Sequence, residues 1–572
     1  YYNRDFRQTY NAVLNYNETF FLDHHVEVML GMEYYNKYQR GFEAQGQGAP
    51  TDDLPDLSLT DKGEGKRTIN SWHEKQRILS FFGRLNYDFK DKYLLSFVFR
   101  RDGYSSLLGD NRWGFFPGVS AGWIFGREDF IKEAIPVMSF GKLRASYGIN
   151  GNASGIGAYT LQGSYGSSNS NGSFNYNGNT SYLITELPNP NLRWEKTATF
   201  EVGADLSFFA NRLNTNLTYY NRLTSDKYAA LSFPTSTGFS SVTNNNGEFR
   251  NQGIEIELSG KIIDSKDWTW SASGNIAFNK NKIVSLPDNG MERNRINAFQ
   301  VYTGNGDEKK WVGGQQEGQE PGILYLYQAD GIYRSYDEIP ANLVRKYGSR
   351  TYYGPEAWNK LTAEQQNATT NFPIQPGDTK FHDVNGDDVI DEFDKVKVGA
   401  TSPRWTGGFN TTLRWKNFQL YGRFDYALGF WLYENSGTQS TTPWFMGCYQ
   451  GTYNTPTMYY DTWSESNPNA KYPRYLFADQ NGKNNYIAST MFAYRGDYLA
   501  IREISLSYSL PESVAKMLKM QRAEVSITGQ NLGYITGAKN VGSPEANPKD
   551  NGAVGQGYSL PRTILFGVNL TF

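Results

Sequence analysis

Apolar and polar residues alternate along most of this chain. Residues 198–208 place Ala198, Phe200, Val202, Ala204, Leu206 and Phe208 on one face. Thr199, Glu201, Gly203, Asp205 and Ser207 fall on the other. The same period of two returns at 254–259, at 268–279 and at the end, where Ile564, Phe566, Val568, Leu570 and Phe572 share a face. That period belongs to half-buried strands. It predicts strands near 6–19, 26–38, 77–89, 93–101, 115–125, 141–149, 197–209, 212–222, 252–262, 267–279, 404–416, 418–429, 497–510, 522–532 and 562–572, with bounds good to ~2–4 residues. Two connections, 127–138 and 511–520, read as short helices, the second opened by Pro511.

The connections sort the strands into an architecture. Tight reversals at Lys90-Asp91-Lys92, Ala210-Asn211 and Asn417 alternate with long segments at 39–76, 150–196, 223–251, 280–403, 430–496 and 533–561. Short turns at one end and long loops at the other predict an all-β fold, a transmembrane antiparallel up-and-down β-barrel with long extracellular loops and short periplasmic turns. A large soluble β-helix or an array of sandwiches is the competing reading. It does not account for that parity, nor for Glu201, Asp205, Glu255, Glu257, Arg414, Arg423 and Asp425 on the polar face, which suit a wet lumen better than a dry core. Phe89, Phe208, Trp415 and Phe418 stand at strand ends, where rings meet lipid headgroups.

Composition narrows the function. Aromatic residues make up 16 % of the 572 and 58 are glycine. No apolar run approaches the roughly 18 residues of a spanning helix. Fifty-six basic residues against 58 acidic ones give no argument for nucleic acid. The lone Cys448 excludes an internal disulfide, and four histidines leave few candidates for acid–base catalysis. Gly118-Val119-Ser120-Ala121-Gly122 fits a hydrolase pattern but lies inside a strand, not on the strand-to-helix elbow that chemistry needs. No catalytic residue and no enzyme activity are expected.

One segment carries metal-like spacing. Asp383, Asn385, Asp387, Asp391 and Asp394 fall at positions 1, 3, 5, 9 and 12 of an EF-hand-like loop, with the Val389 carbonyl at 7 and Ile390 as its apolar anchor. Asp388 stands where the turn glycine belongs, and position 12 is Asp instead of Glu. The expectation is Ca²⁺, with Mg²⁺ second, stiffening the loop; the alternative is a solvated acidic turn. Trp311, Trp358 and Trp444 are candidate substrate-contact aromatics on the loops, with packing of the loops on themselves as the commoner fate.

The segments Asn111-Arg-Trp-Gly-Phe-Phe-Pro117, Lys142-Leu-Arg-Ala-Ser-Tyr-Gly148, Asn189-Pro-Asn-Leu-Arg-Trp-Glu195, Arg250-Asn-Gln-Gly-Ile-Glu255, Asn467-Pro-Asn-Ala-Lys-Tyr-Pro-Arg474 and Arg562–Phe572 follow one another in a telling order. Together they resemble the SusC/RagA-like TonB-linked outer-membrane transporters of Bacteroidota. The resemblance implies active import of glycan fragments or oligopeptides, energised by TonB through an N-terminal plug, with a SusD-like surface lipoprotein as lid and the lipid bilayer as surroundings. A TonB-type receptor for a siderophore or vitamin, and a passive porin or surface adhesin, are the alternatives. No plug or TonB box is recognisable, so residues 1–572 are expected to form the C-terminal portion of a barrel of about 22 strands, with plug and N-terminal strands outside the sequence. The loop 150–196 is the expected hinge for the lid.

Overall fold

A computed structural model describes the chain except residues 55, 64, 168–174, 177–178, 434–460, 475–486, 539–542 and 546–559. Its main sheet has fifteen antiparallel strands hydrogen-bonded in chain order. They are β1 Tyr2–Phe20, β2 His24–Gly46, β3 Arg67–Phe89, β4 Tyr93–Tyr104, β5 Trp113–Trp123, β6 Met138–Asn152, β7 Glu195–Phe208, β8 Leu213–Ser232, β9 Ser241–Asp264, β10 Trp268–Ser285, β11 Trp405–Trp415, β12 Phe418–Leu428, β13 Tyr498–Ser509, β14 Arg522–Thr536 and β15 Thr563–Thr571. Helices are few and short: α1 Asp129–Ala134, α2 Pro355–Asn359, α3 Ala363–Gln366 and α4 Glu512–Met517. The helices expected at 127–138 and 511–520 are thus present as α1 and α4.

The chain divides into two compact units, Tyr1–Ile254 with Asn281–Asn294, and Glu255–Lys280 with Arg295–Phe572. In the first, the alternating pattern becomes two chemically distinct faces. Leu95, Phe97, Val119, Leu143, Tyr147, Phe200 and Val202 are exposed on one side. Register shows why they share it: Ala145 opposes Val202 and Ala121, and Tyr147 opposes Phe200. An aqueous surface would not carry such a band, whereas lipid requires it. In the second unit Val525 opposes Val568 and Ile527 opposes Phe566 in the same manner.

Rings mark the short-connection ends of the strands. In the first unit His24 lies 4.8 Å from Phe89, and Phe89 stacks on Tyr93 at 6.3 Å. In the second, Trp268, Trp415, Phe418 and Tyr508 form a continuous ladder with centroid separations of 5.7, 6.0 and 4.6 Å. The tight turns beneath use left-handed residues without glycine. Lys90 and Asp91 have φ of 56° and 50°, and the Asp91 N–H donates to the Asp88 carboxylate at 2.7 Å.

Several strands are longer than the apolar alternation foretells. β2 and β3 have 23 residues each, about twice the ~9–11 a bilayer needs. Residues 39–46 and 67–76, expected as loop, pair from Gln39 with Glu74 to Gly46 with Arg67. Much of the expected loop 223–251 likewise belongs to β8 and β9. Apolar residues such as Phe42, Ile69 and Trp72 are scattered over both faces of the β2–β3 extension, so no sustained period of two announces it.

The connection between β5 and β6 is pinned by one carboxylate. Glu128 accepts hydrogen bonds from Lys92 Nζ, the Tyr93 hydroxyl and Trp123 Nε1 at 2.8, 2.8 and 3.3 Å. These donors hold its pKa down to about 2, far below the ordinary 4.5. A depressed carboxylate contributes stability above its unfolded pKa and loses it as pH falls through the folded one. Glu128→Gln is therefore expected to lower the thermal midpoint at neutral pH and to weaken the acid sensitivity between about pH 4.5 and 2, measured by the temperature at which the heat-modifiable folded band disappears on a gel.

Candidate functional site

The polar face of the first unit holds a continuous row that no single stretch of sequence displays. Register aligns Glu27 with Asn86, Asn86 with Ser96, Ser96 with Ser120, Ser120 with Ser146, and Ser146 with Glu201. Asn86 Nδ2 donates to Glu27 at 3.0 Å, and the Ser96 hydroxyl donates to the Asn86 carbonyl at 2.7 Å. The small serines leave two adjoining recesses of about 610 and 580 Å³, both lined by Ser96, Ser120, Ser146 and Glu201. Ser120 of the hydrolase-like pattern is thus one member of a wall of small side chains.

Charges border the recesses. Arg144 donates to Asn216 at 3.0 Å and to Thr218, and lies 3.4 Å from Asp205. It crosses β7 at Gly203, where an added Cβ would meet the guanidinium carbon at 2.7 Å. Arg222 lies 3.6 Å from Glu201. Further along, Arg100 forks between Asp102, Ser80 and Glu33 at 2.8, 2.8 and 3.1 Å. Such a surface can hold a polar, uncharged or zwitterionic ligand through many weak contacts. Serine spacing in the sequence gave no signal, because the row exists only across strands.

The second unit carries the loop sites. Residues 295–404 pack, with Ile487, around a buried cluster of Tyr327, Tyr333, Ile339, Leu343, Tyr352, Ile374, Phe381 and Ile390. Arg345 is buried within it, 4.5 Å from the Tyr352 ring and 5.1 Å from the Phe381 ring. Ile390 is the anchor expected for the acidic loop. It pairs with Arg345 in a parallel bridge, as Val389 does with Val344.

Most polar groups of the acidic loop bond within it, while the buried Asn385 Oδ1 has no hydrogen-bond partner. Asp383 accepts from the Gly386 and Asp388 amides at 2.8 Å each. Asp387 accepts from Val389 and Asp391 from Phe393, both at 2.8 Å. Asp394 accepts from Val384 and Asp391 at 2.9 and 2.7 Å. Asn385 donates to Asp307 at 2.8 Å. Among the described residues no three His, Cys, Asp or Glu side chains are grouped to hold a metal. Asp383, Asp387, Asp391 and Asp394, expected with Asn385 and the Val389 carbonyl to hold Ca²⁺ or Mg²⁺, here accept from backbone amides of the same loop. Burial, with the charges of Asp391 and Asp383, raises Asp394 to about 6 against the pull of its two amide donors.

The tryptophan candidates separate. Trp311 is half-buried under the Arg295 guanidinium at 3.9 Å, and Trp358 packs in α2 beside Tyr353 at 6.2 Å. Both are partly buried and pack within their loops. Trp444 lies outside the described residues, as does part of the hinge candidate 150–196.

Asp378 has no exposed surface and is met by Arg474 at 2.7 Å, which ties the 461–474 segment to the loop core. Removing one partner of a buried pair costs ~3–5 kcal/mol. Arg474→Ala is expected to open 323–400 to limited proteolysis, with the apolar double variant Asp378→Leu/Arg474→Met recovering protection. For the acidic loop, Asp394→Ala is expected to cost about 1–3 kcal/mol through two orphaned amides. Millimolar Ca²⁺ is expected to leave amide exchange over 383–394 unchanged, and slowing on its addition would restore the ion.

Comparison with known proteins gives a consistent picture. Residues 1–356 match the family described as TonB dependent receptor-like, beta-barrel. TonB-dependent receptor P3 of Formosa agariphila is 28 % identical over 99 % of this chain and 53 % of its own length. TonB-dependent receptor SusC of Bacteroides thetaiotaomicron is 26 % identical over 96 % of this chain and 48 % of its own. The chain thus spans about half the length of these curated relatives. A solved RagAB peptide transporter covers all of the chain with 56 % of its own at a TM-score of 0.74 and 23 % identity, a likeness of fold.

Proposed function

Because the chain belongs to the TonB-dependent receptor family of outer-membrane β-barrels, we propose that it serves energised import as a SusC-type transporter subunit. In this reading it takes up glycan fragments or oligopeptides together with a SusD-like surface lipoprotein. TonB supplies the energy through a plug that belongs to the part of the relatives this chain does not span, and residues 1–572 supply the C-terminal portion of the barrel. The observation that carries the reading is the near-full alignment of this chain with a relative named SusC. The fold likeness to a protein described as a peptide transporter is compatible with it and brings oligopeptides into the cargo class.

The polar face supports the same reading. A wall of Ser96, Ser120 and Ser146 edged by Glu201, Arg144 and Arg222 is smooth, wet and of both signs. That suits passage of neutral or zwitterionic cargo better than tight capture of one highly charged chelate. On the far side, the loops 150–196, 280–403, 430–496 and 533–561 exceed what strand reversal needs, and long connections in compact proteins usually carry function. We place the lid contact there, with 150–196 at the hinge.

The test is purification of the protein from its native outer membrane followed by native mass spectrometry. A lipoprotein lid and a retained mixture of short peptides or glycans are expected. Uptake of the recovered cargo class should stop in cells lacking TonB. Uptake that continues without TonB would establish a passive pore instead. Ser120→Trp, which fills both recesses, is expected to abolish most uptake while leaving membrane abundance and lipoprotein capture near normal; undiminished uptake would remove the recesses from the path.

A further inference from the structure

Two short-side connections are not tight turns, and both fold back over the lipid-facing side of the sheet. The first is 124–137. Its Gly126 lies so close to β6 that an added Cβ would come 2.6 Å from the Gly141 amide nitrogen. A Cβ on Gly141 would strike the Phe125 ring at the same distance. Gly141 shares its face with Leu143, Ala145 and Tyr147, and their partners Leu206, Ala204, Val202 and Phe200 are all apolar. The donors that grip Glu128 include Tyr93 and Trp123, opposed to each other on that apolar face.

The second is 510–521. Ala523 begins the apolar face of β14, opposite Leu570. It is 3 % exposed, while Val525 and Ile527 on the same face are each 44 % exposed. α4 packs against this strand, and its Ala515 is 1 % exposed. The helix therefore covers the foot of the lipid-facing surface.

Each connection turns further apolar side chains outward. Phe130, Ile135 and Val137 are exposed around α1, and Met517 and Leu518 at the end of α4. Basic residues flank them: Arg127 and Lys132 in the first, Lys516 and Lys519 in the second. Lys132 and Lys516 also reach Asp129 and Glu512 on their own helices, at 3.1 and 2.6 Å, and Arg127 donates to the Asp91 carbonyl at 2.7 Å and lies 3.5 Å from its carboxylate. Apolar residues beside lysines, at the level of the aromatic strand ends and on the lipid side, continue a boundary the sheet already makes with the membrane.

We propose that 124–137 and 510–521 are interfacial anchors that insert Phe130, Ile135, Val137, Met517 and Leu518 among the phospholipids of the periplasmic leaflet. Their lysines and Arg127 face the lipid phosphates. The partner is lipid because both connections lie on the side that lipid already covers, and not across the polar face where a periplasmic protein would reach the transport path.

The experiment uses the whole protein in phosphatidylethanolamine–phosphatidylglycerol nanodiscs, with Cys448→Ser and a single reporter at Phe130→Cys or Met517→Cys carrying an environment-sensitive fluorophore. Lipids brominated near the headgroup end of the chain are expected to remove most of the emission, and aqueous iodide little of it. Val137→Cys and Leu518→Cys repeat the measurement at neighbouring positions and stand in for any reporter that fails to assemble. Iodide quenching without lipid quenching at both positions of a connection overturns the assignment for that connection. Protection from iodide that appears only when a periplasmic extract is added, and not with lipid, overturns it in favour of a protein partner.

Discussion

A backbone amide in hydrocarbon has no water to turn to, so every strand that crosses the membrane must find its partners in its neighbours. That constraint organises this chain. With the fifteen strands paired in sequence order, each strand finds its ladder partners in its neighbours along the chain, and the side chains are left to divide between lipid and water. The division is what makes Leu143, Tyr147 and Val202 exposed without being a liability. It also lets Arg144 and Glu201 stand one residue from Leu143 and Val202, with Asp205 on their polar face. The same constraint places the rings: Trp268, Trp415, Phe418 and Tyr508 occur where ladders end and water begins.

The pattern that follows from lipid is legible in sequence only where lipid is. All fifteen strands show in the alternation, because each has one apolar face over its spanning part. The extensions of β2 and β3 above that level do not, since Gln39, Arg40, Glu43 and Gln45 pair with Glu74, His73, Asn70 and Thr68 in water on both sides. Hydrogen bonding continues there, while the apolar residues Phe42, Ile69 and Trp72 fall on both faces and lose their alternation. The polar row of serines is hidden for another reason. Ser96, Ser120 and Ser146 belong to three different strands, and only the register brings them side by side.

The motif residues that carry the family resemblance are explained by packing more than by chemistry. Trp194 is buried with Leu192, Phe116, Tyr104 and Leu107, and its Nε1 donates to the Arg112 carbonyl at 3.0 Å. Asn245 clasps Arg193, its side-chain carbonyl accepting from the Arg193 amide at 2.8 Å and its amide donating to the Arg193 carbonyl at 2.9 Å. Segments far apart in sequence, around 112, 193 and 245, thereby meet in one knot at the top of the strands. The acidic loop follows the same logic. Its spacing resembles that of a cation loop because Asp side chains at short intervals also cap the amides of tight turns, and Gly386 with Asp388 supplies the left-handed residues such turns need, at φ of 76° and 62°. Spacing alone cannot separate the two uses.

Loops of this length face a problem that strands do not, since each turn away from the sheet exposes backbone that must be paired anew. Here the answer is local cores. The 286–404 segment builds a four-stranded sheet of its own, ordered 371–373, 350–353, 344–347 and 389–390, and buries Arg345 between rings with its Nη1 donating to the Thr379 carbonyl. Asp378, wholly buried, receives Arg474 from more than ninety residues away. A buried ion pair adds little net stability against an apolar pair, yet it punishes misplacement of either partner severely. In a loop free of the lipid constraint, that penalty is what fixes register. Trp311 and Trp358 belong to the same economy of packing: one lies under Arg295 and the other beside Tyr353, which makes them part of what gives the loop its shape.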